Sequence, residues 1–154
     1  MIDPRLWDDP EFVSLTPFVQ KLWFYLLSGP EAYASCPGLL RLDVQSLAGA
    51  LRASPGDVDA ALVQLRALGW IQEDRERRVI RVPNAPRYRR PQHSQVSGRV
   101  LWSWFRRWRQ VPDCALKTEH IRSVRDSLTQ RGLQSNSWAE TFGSVSGEST
   151  THAK

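Results

Sequence analysis

Residues 75–109 hold eleven arginines and a single acid, Glu76. The arginine fork can meet two phosphate oxygens at once, which a lysine ammonium does not do. Aromatic side chains lie among these cations: Tyr88, Trp102, Trp104, Phe105 and Trp108. Cations for phosphates and flat rings for bases are what a nucleic-acid surface needs. The plainer reading of any charge run is a solvated face. The exclusive use of arginine and the interleaved rings favour a polyanion partner instead, with nucleic acid first. The rest of the chain does not share this sign. Residues 1–74 carry 5 basic and 10 acidic residues, residues 110–154 carry 5 of each, and the formal net charge is +5.

Other chemistry is thin. His93, His120 and His152 are not at metal-ligand spacing with one another or with Cys36 and Cys114. Glu119-His120 reads as an exposed polar pair, and Cys114 as a small buried hydrophobe. Asp8-Asp9 are adjacent carboxylates that do not converge on one metal unaided. The chain contains no GxxxxGK[ST], GxSxG or HExxH, and no nucleophile–base–orienter set. The expectation is a protein that is not an enzyme and takes no cofactor or metal. With two distant cysteines and no CxxC, neither a disulfide framework nor a cysteine zinc site is expected, and a reducing cytoplasm is the default location. The longest apolar run, near Leu22–Leu27, falls short of the roughly 18 residues a membrane span requires. Met1-Ile2-Asp3-Pro4-Arg5 lacks the basic start and apolar segment of a signal peptide.

The elements that position the arginines can be read along the chain. A length of 154 residues with 41% hydrophobic content fits one domain, or one small domain with an appendage. Residues 3–15 read as an extended arm with turns at Asp3-Pro4 and Asp9-Pro10. Thr16-Pro17 supplies an N-cap and a first helical position. Phe18, Val19, Leu22, Trp23 and Leu26 follow at helical spacing, and Gly29-Pro30 ends the helix. Residues 31–38 read as a loop and Leu39–Leu42 as a short strand. Asp43 caps a helix over Val44–Leu51. Ser54-Pro55 opens another, with Val58, Ala61, Leu62, Leu65 and Leu68 as its stripe and Gly69 as its stop. Trp70–Asp74 and Arg78–Val82 read as a hairpin around Arg75-Glu76-Arg77.

This order predicts a mainly α fold with a small β-hairpin: a winged helix-turn-helix over residues 1–83, with its wing at about 70–82. A Pro/Arg-rich connector follows at 84–95. A helical extension spans 96–132, with helices at Val96–Gln110 and Leu116–Arg131. In the first, Leu101, Trp104, Phe105 and Trp108 share one face, while Arg99, Trp102, Arg106 and Arg109 share the other. The second carries the stripe Ile121, Val124 and Leu128. Residues 133–154 hold 8 Ser or Thr and no stripe, so disorder is expected there.

In a helix-turn-helix the second helix normally reads base edges. Here it opens with Asp57 and Asp59, which fit a helix N-terminus but oppose phosphate. Its outward positions, Ala60, Val63, Gln64 and Ala67, offer no Arg or Asn for bidentate base contacts. DNA binding is therefore expected at Arg75, Arg77 and Arg78 on the wing and at Arg87, Tyr88, Arg89 and Arg90 on the connector. Arg99, Trp102, Arg106, Arg107 and Arg109 on the long helix complete the set. These are mainly backbone contacts, with Tyr88 and Trp102 available to unpaired bases.

The segments Arg5-Leu6-Trp7, Leu15-Thr16-Pro17, Leu22-Trp23-Phe24-Tyr25-Leu26-Leu27 and Pro37-Gly38-Leu39 carry a family resemblance. So do Val79-Ile80-Arg81-Val82-Pro83-Asn84-Ala85, Arg87-Tyr88, and Val111-Pro112-Asp113-Cys114-Ala115-Leu116-Lys117. Together the sequence resembles phage and prophage winged-helix proteins of the replisome-organiser type, related to the N-terminal domains of DnaD-like replication initiators. The resemblance covers about residues 5–130. It implies binding of double- or single-stranded origin DNA or self-association into a homo-oligomer, and a replicative helicase or other replisome protein as partner. The chain departs from the family in having only a short helical extension where members often carry a second, partner-binding domain. Arg89-Arg90 also follow Tyr88 where the family typically has Asn. Two other readings share the fold. One is a transcriptional regulator. The other is a protein–protein adaptor or oligomerisation module built on Ala60, Val63 and Ala67.

Overall fold

A computed structural model describes residues 4–34, 36–83, 85 and 98–130. The connector beyond Ala85, up to Ser97, and the Ser/Thr-rich tail lie outside the described residues.

The N-terminal segment is helical and packed, not an extended arm. A 3-10 turn spans Pro4–Asp8 and a short helix, α1, spans Pro10–Ser14. Asp9 caps α1 by accepting from the N–H groups of Glu11 (2.9 Å) and Phe12 (3.4 Å). Phe12 is fully buried, with the rings of Trp7, Phe24 and Trp70 at 5.5, 5.4 and 6.5 Å. Burial of that ring outweighs the poor intrinsic stability of a one-turn helix.

Helix α2, Pro17–Ser28, begins at the Thr16 cap and buries Val19, Leu22, Trp23, Leu26 and Leu27. Gly29 closes it, and Pro30 immediately starts α3, Pro30–Ala34, where a loop was expected. Proline at a first helical position lacks only an N–H that would have no helical partner there. Ala32 on this helix is buried.

Strand β1, Leu39–Arg41, leads to α4, Val44–Leu51, capped by Asp43 through the Ser46 N–H at 2.8 Å. Arg52 turns the chain in the left-handed region at φ 53°. Ser54 then caps α5, Pro55–Ala67, which buries Val58, Ala61, Leu62 and Leu65. Leu68 leaves the expected stripe and is exposed, because the helix stops at Ala67 and Gly69 redirects the chain at φ 71°.

The hairpin is β2, Gln72–Asp74, with β3, Val79–Arg81; both strands are shorter than the sequence suggests. Its turn closes without Asn-Gly. The Asp74 carboxylate accepts the Arg77 N–H at 3.0 Å, and Arg78 takes a left-handed φ of 56°. The sheet is antiparallel in the order β1-β3-β2, with Leu40 and Glu73 both opposite Ile80. The fold is therefore mainly helical with a small three-stranded antiparallel sheet that includes the expected hairpin.

Side chains alternate across the central strand. Ile80 joins Leu40 and Val82 in a core with α2, α4 and α5. Val79 joins Leu39 and Cys36 on the other face, against Trp108 and Ile121 of the C-terminal helices and Val111 of the turn between them. Those helices are α6, Gly98–Arg109, and α7, Ala115–Gln130, and α7 lies on β2 and β3. Gly38 sits where the chain crosses to this second face. Its φ is 82°, and a Cβ there would stand 2.6 Å from the Ala85 Cβ and 2.7 Å from the Val82 carbonyl oxygen. No helix among the described residues is long and apolar enough to cross a membrane.

Candidate nucleic-acid interface

The hairpin arginines are brought to the protein's own carboxylates. Arg75 donates from Nε to Glu73 at 3.0 Å and from its terminal nitrogen to Asp59 on α5. Glu73, whose side chain is only 5% exposed, also faces Arg66 at 3.3 Å. Glu73 first, and Asp59 second, hold the Arg75 guanidinium above its ordinary pKa. Arg77 lies 3.3 Å from Asp74 and 3.2 Å from Glu76. Arg78 lies 3.4 Å from Asp43, whose carboxyl is held below the usual range chiefly by the Ser46 N–H and less by Arg78.

The same contacts answer the acidic opening of α5. Asp59 faces Arg75, and Asp57 accepts the Ser54 hydroxyl at 2.7 Å. All three hairpin arginines remain solvent-accessible. Exposed pairs of this kind contribute about 0–1 kcal/mol each, so a phosphate can compete for the arginines, but only by displacing a carboxylate.

Arg87, Tyr88, Arg89 and Arg90 lie outside the described residues. Arg99 stands in the first turn of α6, where only its backbone is described. Trp102, Arg106 and Arg109 do share one outer face of α6, as their spacing requires, and all three are exposed. Neither Arg106 nor Arg109 has a carboxylate partner among the described residues. The half-buried Phe105 ring stands 5.6 Å from Trp102 and 6.0 Å from Trp108, and the Arg109 guanidinium lies 5.9 Å from its centroid. Arg107 is half-buried.

The inner face fixes α6 in place. Leu101 and Trp108 are buried. The Trp108 indole N–H donates to the Lys117 carbonyl at 3.2 Å, and the Lys117 ammonium lies 4.6 Å from the Trp108 ring. Lys117 also donates to the Val111 carbonyl (2.6 Å) and to Asp113 (2.8 Å), and this contact lowers the Asp113 pKa. The α6–α7 turn is thus closed by a buried cation. Cys114, expected to be buried, is only partly so at the edge of this cluster.

Two residues escape the sequence reading. Arg81 belongs to the arginine block but is 4% exposed, donating to Gln72 and to Glu119 on α7. It serves the fold rather than the surface. His120 is not an exposed partner of Glu119. It is fully buried, and neither ring nitrogen has a hydrogen-bond partner among the described residues. Burial first, and the Arg81 charge second, lower its pKa to about 4; the Pro37 carbonyl nearby opposes this weakly, without hydrogen-bond geometry. Its position was legible: His120 lies four residues from Leu116 and from Val124, beside Ile121, on the apolar stripe.

On α5, Ala60, Val63, Gln64 and Ala67 face solvent, as expected. A cleft of about 500 Å³ opens between α2, α4 and α5, lined in part by Phe18, Lys21, Arg52, Ala60 and Gln64. No protein-family model, curated protein or solved structure matches the chain.

Proposed function

We propose that this chain is a winged-helix DNA-binding protein that grips the nucleic-acid backbone with the outer face of α6 and the adjoining connector arginines. The observation that carries the reading is the exposure of Arg106 and Arg109 without carboxylate partners among the described residues, in a stretch free of Asp and Glu from Arg77 to Pro112. The winged-helix assignment is supported by the element order α2-α3-β1-α4-α5-β2-β3 and by the hairpin's place beside β1. The second helix of the pair opens with Asp57 and Asp59 and presents no Arg or Asn at Ala60, Val63, Gln64 and Ala67, so binding is largely sequence-independent. A role in phage-type replication initiation, with a replicative helicase or another replisome protein as partner, follows from the sequence resemblance.

Binding to random-sequence DNA across a salt series tests the reading. Replacing Arg106 and Arg109 together by Gln removes two phosphate contacts. The log–log salt slope on duplex then becomes shallower by about 2. No binding by the intact chain at low salt overturns the proposal. The exposed Ala60–Val63–Ala67 face favours a second reading, an adaptor or homo-oligomer, which a concentration-dependent mass without DNA affinity supports.

A further inference from the structure

We infer that the outer face of α6 is built for single strands: Trp102 stacks on an unpaired base while Arg106 and Arg109 hold phosphates of the same strand. The inference rests on the DNA-binding reading and names its substrate.

Three observations carry it. The Trp102 side chain is 52% exposed on a face whose other marked residues are cationic. An indole left half in water gains most from a flat apolar partner. A duplex backbone presents none, because its base faces are already stacked inside. An unpaired base presents one, whatever its identity.

Second, Trp102 is supported by its neighbour. Its ring meets Phe105 at 5.6 Å with a 38° tilt, and Phe105 in turn stacks on the buried Trp108. The Arg109 guanidinium lies 5.9 Å from the same Phe105 ring. Ring and cation are therefore placed by the same aromatic anchor, which reduces the ordering cost of binding.

Third, the order along the helix suits a strand. Arg106 is one turn beyond Trp102 and Arg109 about another turn on, roughly 6 and 10 Å along the axis. A strand running along α6 meets a stacking surface and then two phosphate donors in succession. Among the described residues neither cation has a carboxylate to leave, unlike Arg75, Arg77 and Arg78 on the hairpin.

The test uses the full chain and three probes of equal length, about 20 nucleotides, longer than common single-strand site sizes. The probes are oligothymidylate, its duplex with oligoadenylate, and an abasic strand with the same sugar-phosphate backbone. Fluorescence anisotropy gives each affinity for the native chain, Trp102→Ala, Trp102→Phe and the Arg106→Gln/Arg109→Gln double variant. The expected result is a loss of about 5- to 150-fold for Trp102→Ala on oligothymidylate, the scale of one stacked base. Duplex and abasic affinities stay within twofold, and Trp102→Phe recovers most of the loss. The double arginine variant weakens all three.

Trp102→Ala leaving oligothymidylate affinity unchanged, or lowering all three affinities equally, overturns the single-strand inference and leaves backbone binding standing. Failure of the native chain to bind any probe overturns both.

Discussion

A single proton on His120 links acid to the stability of the fold. The ring is buried between α7 and the Pro37-Gly38 turn, where a Cβ added to Gly38 would lie 3.3 Å from its Cε1. Its pKa falls to about 4 in the folded chain, from an ordinary 6.5. The unfolded chain therefore takes up the proton more readily between these two values. Stability is full above pH 6.5, falls as pH drops towards 4, and levels off below that as far as this group is concerned. At pH 5 the loss attributable to it is about 2 kcal/mol. Urea unfolding at pH 8 and pH 5 measures the difference, and His120→Leu is expected to remove most of it. Asp43 and Asp113, whose pKa values are also depressed, lose stability in the same direction at lower pH. The comparison between native chain and variant isolates the histidine, and an unchanged pH dependence in the variant would refute its role.

At the scale of elements, the arginine block divides by the company each part keeps. On the hairpin, Arg75 compensates the nearly buried Glu73 and reaches Asp59 on α5. Removing it leaves Glu73 with Arg66 alone, and Arg75→Gln is expected to cost about 1 kcal/mol, a modest figure because Arg75 is half exposed. Its effect on DNA affinity should stay within twofold, whereas Arg106→Gln on α6 weakens binding and leaves the melting temperature nearly unchanged. Equal losses of affinity for the two variants would return the wing to the interface. This division was only half legible in the sequence. The spacing of Trp102, Arg106 and Arg109 shows their common face, because it repeats with the helix. The caps Asp43 and Ser54 likewise mark α4 and α5 at their first residues. The pairing of Arg75 with Asp59 spans sixteen residues and two elements, and no local pattern records it. Helices α1 and α3 have five residues each, too few to show a period, and tertiary burial of Phe12 and Ala32 accompanies their formation.

For the molecule as a whole, the decisive feature is that β3 is buried on both faces. The sheet of residues 1–83 and the helical extension share one buried cluster: Leu39 and Val79 are fully buried beside Trp108, Val111 and Ile121. Arg81 on the same strand is covered by α7 and paired with Glu119. Burying a Leu or Val side chain contributes about 1.5–3 kcal/mol. Exposing these two alone therefore removes roughly 3–6 kcal/mol, against a typical total of about 5–15. A fragment of residues 1–95 is accordingly expected to melt far below the intact chain and to bind a hydrophobic dye. Trp108→Ala, which keeps the chain whole, should cost about 3–5 kcal/mol as a core cavity and destabilise the domain and extension together. This coupling matters for binding. The proposed nucleic-acid face on α6 is anchored through Trp108 to the back of the sheet, so it would move with the sheet and hold a bound strand at a fixed distance from the hairpin. A fragment of 1–95 with the melting temperature of the full chain would break that link and make α6 and α7 a tethered arm.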